Sequence, residues 1–194
     1  MSDISGAAKE AVDQPQGDII AILTEQHQRI RELFAHVRET DGQHKQQTFD
    51  ELRALLAVHE TAEEMVLRPV SSKDAGEEEA AARNREEDEA TRILMDLENT
   101  DASSAQFDQM FAELERAVLT HAEREEREDF PPVRAHETQY TLQSMGRALR
   151  ATEKLVPTHP HPAAGTPSPE WALAPFTALV ERTQEALKTA TPRS

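Results

Sequence analysis

Cysteine is absent from the 194 residues, which excludes disulfides, thiolate metal sites, cysteine-ligated iron–sulfur clusters and cysteine nucleophiles. Long apolar runs are absent as well. None approaches the ~20 residues that span a bilayer, and the opening MSDISGAAKEAVDQPQGD has neither the basic n-region nor the apolar h-region of a secretory signal. A soluble cytoplasmic protein with no membrane partner is expected. Basic charge is in the minority, with 21 Lys and Arg against 37 Asp and Glu and a formal net charge of −16. No basic stripe with interleaved aromatics offsets it, so nucleic acid is not an expected partner. There is no Gly-rich phosphate loop, no Ser-His-Asp order and no nucleophile elbow.

What remains is a chain rich in helix formers, with only six glycines and no strand-like alternation, so the expected fold is all-α. Residues 1–17 read as a disordered lead-in. From Asp18 the apolar positions Ile19, Ile20, Leu23, Ile30, Leu33, Phe34 and Val37 share one helical face, with His27 inside the stripe. A second helix is expected from about Gln47 to Leu67, ending before Pro69, a third from Glu77 to Leu97, and a fourth from Phe107 through Glu125, ended by Pro131-Pro132. Short connections favour an up-down-up-down four-helix bundle over residues 18–135. Additional C-terminal helices follow: a fifth over 136–156, a Pro-rich linker over 157–169, and a last helix and tail over 170–194.

Residues 59–69 read HETAEEMVLRP and residues 121–131 read HAEREEREDFP. His-x-x-x-Glu-Glu followed by Pro thus occurs twice, at an offset of 62 throughout. His and Glu four apart project from the same face of a helix, the spacing by which one helix offers an imidazole and a carboxylate to one metal, and two copies suggest two ions. Carrying the offset to His27 reaches Glu89, and a loop difference of one or two residues brings Asp88 or Glu87 to the same place. His27, His59, Glu63, His121 and Glu125, with a helix-three carboxylate, would converge inside the bundle. Such sulfur-free donors suit iron, with manganese or zinc as alternatives.

Each feature also has a blander reading. One His-x-x-x-Glu on a charged helix is ordinarily a surface pairing, and His27 alone would be a core histidine. Glu64 and Glu126 follow the ligand carboxylates by one residue, which turns them about 100° away toward solvent. His36, His44 and His136 have no partner in register, and His159 and His161 belong to a spacer.

At these residues the chain resembles the hemerythrin-like, HHE cation-binding family, in TEQHQRIRELF, LLAVHETAEEMVLRPV and VLTHAEREEREDFP. The resemblance covers residues 18–135. It implies a non-haem di-iron centre, oxo-bridged or not, with His27, His59 and His121 as terminal ligands, Glu63 and Glu125 as bridging or chelating carboxylates, and an open position for O2, NO or H2O2. The family's third helix commonly begins Glu-Glu-His-Glu; this chain has Glu86-Glu87-Asp88-Glu89. Asp88 is the aligned replacement and Glu87 the second choice. The ligand set does not distinguish reversible binding from peroxide or NO reduction. A metal- or oxidant-responsive sensor or interaction module, and a degenerate metal-free scaffold, are the alternatives; the sequence leaves the oligomeric state open.

Overall fold

Asp18 opens the first helix by accepting a hydrogen bond at Oδ1 from the Ala21 N–H at 2.8 Å, the capping role a short acidic side chain fills at a helix start. That helix, α1, spans Ile19–Glu39, and α2 spans Gly42–Ala62. The chain then passes through a π turn, Glu63–Leu67, into the short α3, Arg68–Ser71. Next come α4, Glu77–Glu98, and α5, Ala105–Arg124, which leads through a second π turn, Glu125–Asp129, into α6, Phe130–His136. Helices α7, Gln139–Glu153, and α8, Phe176–Ala190, complete the fold. The computed structural model describes residues 17–71, 77–153 and 175–190, all helix and turn with no strand among them. The expected lead-in up to residue 16, the end of the expected fifth helix over 154–156, and the Pro-rich linker with His159 and His161 lie outside these.

Helices α1, α2, α4 and α5 are the expected bundle. Three of its boundaries differ from the sequence reading: α2 begins at Gly42, ahead of the expected Gln47, and two helix ends are displaced. Neither Pro69 nor Pro131-Pro132 ends its helix. Proline lacks the N–H that would continue the α ladder, and its ring crowds the carbonyl four residues back. Each time the chain responds just ahead of the proline by widening one turn: the Arg68 N–H reaches back five residues to Glu63 O, and the Phe130 N–H does the same to Glu125 O. The repeat seen in the sequence is therefore also a repeat in the backbone, and each widened turn begins at the motif's first glutamate.

The buried apolar residues fall into two clusters. One joins Ile30, Phe34 and Val37 to Phe49, Leu52, Phe107, Phe111 and Leu114. The other joins Ile19, Ile22 and Leu23 to Val58, Leu67, Phe130, Val133, Leu142 and Leu149. His27 lies between Leu23 of the second cluster and Ile30 of the first, and His121 and Glu125 lie between Val118 of the first and Phe130 of the second, so the polar layer has hydrocarbon on both sides.

Helix α8 packs against α2 and α7. Phe176 and Leu179 enter the first cluster, and the Phe176 N–H donates to Glu98 Oε1 at 2.7 Å, which ties the start of α8 to the end of α4. Helix α7 lies against α1 and meets the chain at Gly146, where a Cβ would press into the Gly17 carbonyl.

Candidate metal centre

Where α2 gives way to its π turn, His59 Nε2 lies 3.3 Å from Glu63 Oε1. The arrangement recurs on α5, with His121 Nε2 3.3 Å from Glu125 Oε1. His27 enters from α1 between them, its Nε2 3.5 Å from Glu125 Oε2 and 3.9 Å from Glu63 Oε1. All five side chains are buried.

Behind each imidazole stands a group that fixes it. His59 Nδ1 is 2.9 Å from Gln26 Oε1, His27 Nδ1 is 2.8 Å from Glu126 Oε1, and His121 Nδ1 is 3.5 Å from Glu86 Oε2. With Nδ1 engaged on the outside, all three rings present Nε2 to the interior, the arrangement by which outer partners orient metal-binding histidines. The outer partners are held in turn: Arg31 pairs with Glu126, Arg124 with Glu86, and Gln26 donates to Glu153. Phe130 stacks on His27, with ring centroids 5.7 Å apart.

The two carboxylates each face two ways. Glu63 turns Oε1 to His27 and His59 and Oε2 to His121, 4.0 Å away. Glu125 turns Oε2 to His27 and Oε1 to His121. Donor atoms close enough to share one cation accordingly form two groups: His27, His59, Glu63 and Glu125, and next to it Glu60, Glu87 and His121.

These residues fit a cation. His27 Nε2, both oxygens of Glu63, His121 Nε2 and Glu125 Oε2 are buried without a hydrogen-bond partner among the described residues. Each such atom costs about 1–3 kcal/mol if left unmet, yet these face one another in a single interior layer. A positive ion is what would satisfy all of them. The ionisation equilibria express the same conflict. Burial and the Glu125 carboxylate push Glu63 well above the usual carboxylate range. Burial, opposed by His121, raises Glu60 to about 7. Burial would lower His121, but the Glu125 carboxylate beside its Nε2 and the charges of Glu60 and Glu87 outweigh that and lift it to about 9. His59 is held well below its ordinary value by burial and the neighbouring His27, so it is a neutral ring ready to donate a lone pair.

Five of the six expected ligands come together. Asp88 does not: it is exposed and belongs to neither donor group, whereas Glu87 does. Successive helical residues diverge by about 100°, so only one of the two can face the core, and the register of α4 selects Glu87. Glu126 also departs from the solvated role expected of it, being the partner of His27. Glu64, by contrast, is exposed. Gln26, Glu60 and Glu86 were not anticipated. Gln26 carried a signal, a polar residue three after Leu23 and four before Ile30 on the buried stripe; Glu60 lies one turn ahead of Glu63.

A cavity of about 540 Å3 lies between α2, α4 and α8. Glu60 and Glu87 border it on one side and Phe176 and Val180 of α8 on another.

Residues 18–133 match the family model described as the Hemerythrin HHE cation binding domain. An uncharacterized hemerythrin-like protein of Schizosaccharomyces pombe is 29% identical over 137 residues, which cover 69% of this chain and 68% of the relative. The crystal structure of a Hemerythrin HHE cation binding domain-containing protein from Mycobacterium kansasii superposes with a TM-score of 0.64 at 20% identity, covering 89% of this chain and 98% of that one. At that identity the likeness is one of fold.

Proposed function

The chain belongs to the hemerythrin HHE cation-binding family, and from that premise we propose that it is a non-haem di-iron protein that binds or reduces a small oxidant, O2, NO or H2O2. The observation that carries the reading is the pair of two-faced carboxylates: Glu63 and Glu125 each direct one oxygen toward His27 and the other toward His121. Two carboxylates so disposed suit two ions side by side.

His27 and His59 would hold one ion and His121 the other, with Glu63 and Glu125 between them. Bound there, a pair of irons supplies one-electron redox couples and an exchangeable coordination position. The protein's own part is positioning and exclusion. Gln26, Glu126 and Glu86 fix the rings, and the two apolar clusters and Phe130 keep bulk water from the His27 side. The cavity at Glu60 and Glu87 gives a small neutral molecule an approach, while its acidic lining and the chain's net charge of −16 disfavour anionic oxidants. Iron suits this donor set, with manganese and zinc able to occupy the same ligands.

The test is elemental analysis of protein expressed with added iron, followed by ultraviolet and visible spectra before and after H2O2 or NO. Close to two irons per chain and a spectrum that changes on addition support the reading. Two irons with a spectrum indifferent to every oxidant would remove it.

A second reading draws on α8, which borders the cavity through Phe176 and Val180 while packed on α2 and α7. Binding at the centre would then be reported through that helix to a partner. Removing residues 163–194 should in that case abolish partner binding and leave the metal spectrum in place.

A further inference from the structure

We infer that Glu60 is a ligand, and that with Glu87 and His121 it forms a second cation position that is carboxylate-rich, open to the cavity and suited to a hard, oxygen-preferring divalent ion such as Mn2+. The inference rests on the metal-centre reading above and deepens it. Glu60 stands outside the repeated His-x-x-x-Glu pattern, and nothing in the 62-residue offset points to it.

Three observations converge. The first is proximity: Glu60, Glu87 and His121 each offer a donor atom within 4.8 Å of the others. His121 Nε2 is 3.7 Å from Glu87 Oε1 and 4.0 Å from Glu63 Oε2. The second is an unmet need at that point. The His121 side chain is more than nine-tenths buried, its Nε2 has no hydrogen-bond partner among the described residues, and neither has the Glu63 oxygen that faces it. The third is charge. Glu63 and Glu125 alone offer two negative charges to two divalent ions. Glu60 and Glu87 raise the count to four carboxylates against four positive charges, and Arg68, paired with Glu87, covers that carboxylate while no ion is bound.

The two positions then differ in kind. The inner one has two imidazoles, His27 and His59, and no border on the cavity. The outer one has one imidazole and a preponderance of oxygen, the ligand type that suits manganese and magnesium over softer ions. It also has a route of supply. Glu64, Asp88 and Glu181 line the same cavity as Glu60 and Glu87, and a passage lined by one sign of charge concentrates the opposite ion. The acidic departure from histidine on α4 is thereby matched by a second acidic residue on α2.

The experiment is a Mn2+ titration of the metal-stripped full-length protein, with free Mn2+ read from its six-line electron paramagnetic resonance signal and folding checked by circular dichroism. Wild type is expected to take up two ions, His59→Ala one, Glu60→Gln one, and the double variant His59→Ala/Glu60→Gln none. Glu87→Gln repeats the Glu60 result from the facing helix, so the outcome does not depend on one substitution being tolerated. Retention of the wild-type count by both Glu60→Gln and Glu87→Gln overturns the inference and leaves the metal-centre reading standing. An ion still held by the double variant also overturns it. A wild type that binds no Mn2+, iron or zinc removes the metal-centre reading itself.

Discussion

His59 Nδ1 lies 2.9 Å from Gln26 Oε1, while the amide nitrogen of the same Gln26 donates to Glu153 Oε1 at 2.9 Å. The relay fixes a proton. A carboxylate can only accept, so Glu153 requires the amide nitrogen to face it; the amide oxygen must then accept, and His59 Nδ1 must be the donor. The Nε2 lone pair is left pointing at Glu63. A residue of α7 thus sets the tautomer of a ring on α2, through an amide on α1.

Replacing Gln26 with Leu should therefore weaken metal binding without removing a ligand. Loss of an outer partner of this kind typically costs about 10–100-fold in affinity. A chelator competition against wild type measures it, and Gln26→Leu should keep the wild-type ion count at saturating metal.

Glu63 carries two opposed effects. Its buried oxygens are unmet without a cation, so Glu63→Gln should leave the metal-free protein at least as stable as wild type at pH 8, above the ordinary carboxylate range. Wild type at about 100 times the dissociation constant gains about 2.7 kcal/mol, a rise of about 5–10 °C in Tm for a chain of this size. Thermal melts with and without metal should show that rise in wild type and not in Glu63→Gln.

The pH dependence of the metal-free protein follows from His121 and Glu60. His121 is raised from 6.5 to about 9 in the folded state, so its contribution is complete below pH 6.5 and lost as pH rises through 9. Glu60 is raised from 4.5 to about 7, so its contribution is complete below pH 4.5 and lost as pH rises through 7. Both changes run the same way. The Tm of stripped protein should fall between pH 7 and 9, and metal affinity should rise over that range as His121 gives up its proton. Melts and titrations at pH 7, 8 and 9 check both.

Phe130 joins packing to the site, being 4% exposed and stacked on His27 at 5.7 Å. Phe130→Ala should destabilise the fold by about 3–5 kcal/mol and open the His27 side to water. Urea unfolding of stripped protein gives the first effect free of any contribution from metal.

The helices, the Asp18 cap and the placement of His27, His59, Glu63, His121 and Glu125 were legible because each follows from spacing within one helix. The two proline sites were misjudged for a local reason: a widened turn carries the helix past a residue that would stop an α ladder. Asp88 and Glu87 differ by one residue, and choosing between them needs the rotation of α4 against α5, which no pattern within α4 encodes. Glu126 was misassigned by the same period that placed Glu125, since the residue 100° away meets a different helix, α1, before it meets solvent. Gln26 and Glu60 act through helices distant in sequence, and that part of the site exists only once the bundle is assembled.

Anomalous diffraction at the iron edge from crystals of iron-loaded protein tests the central claim most directly. Two peaks are predicted, one beside His27 and His59 and one beside His121, Glu60 and Glu87, with Glu63 and Glu125 between them. Iron elsewhere, or no anomalous signal among these side chains, would contradict it.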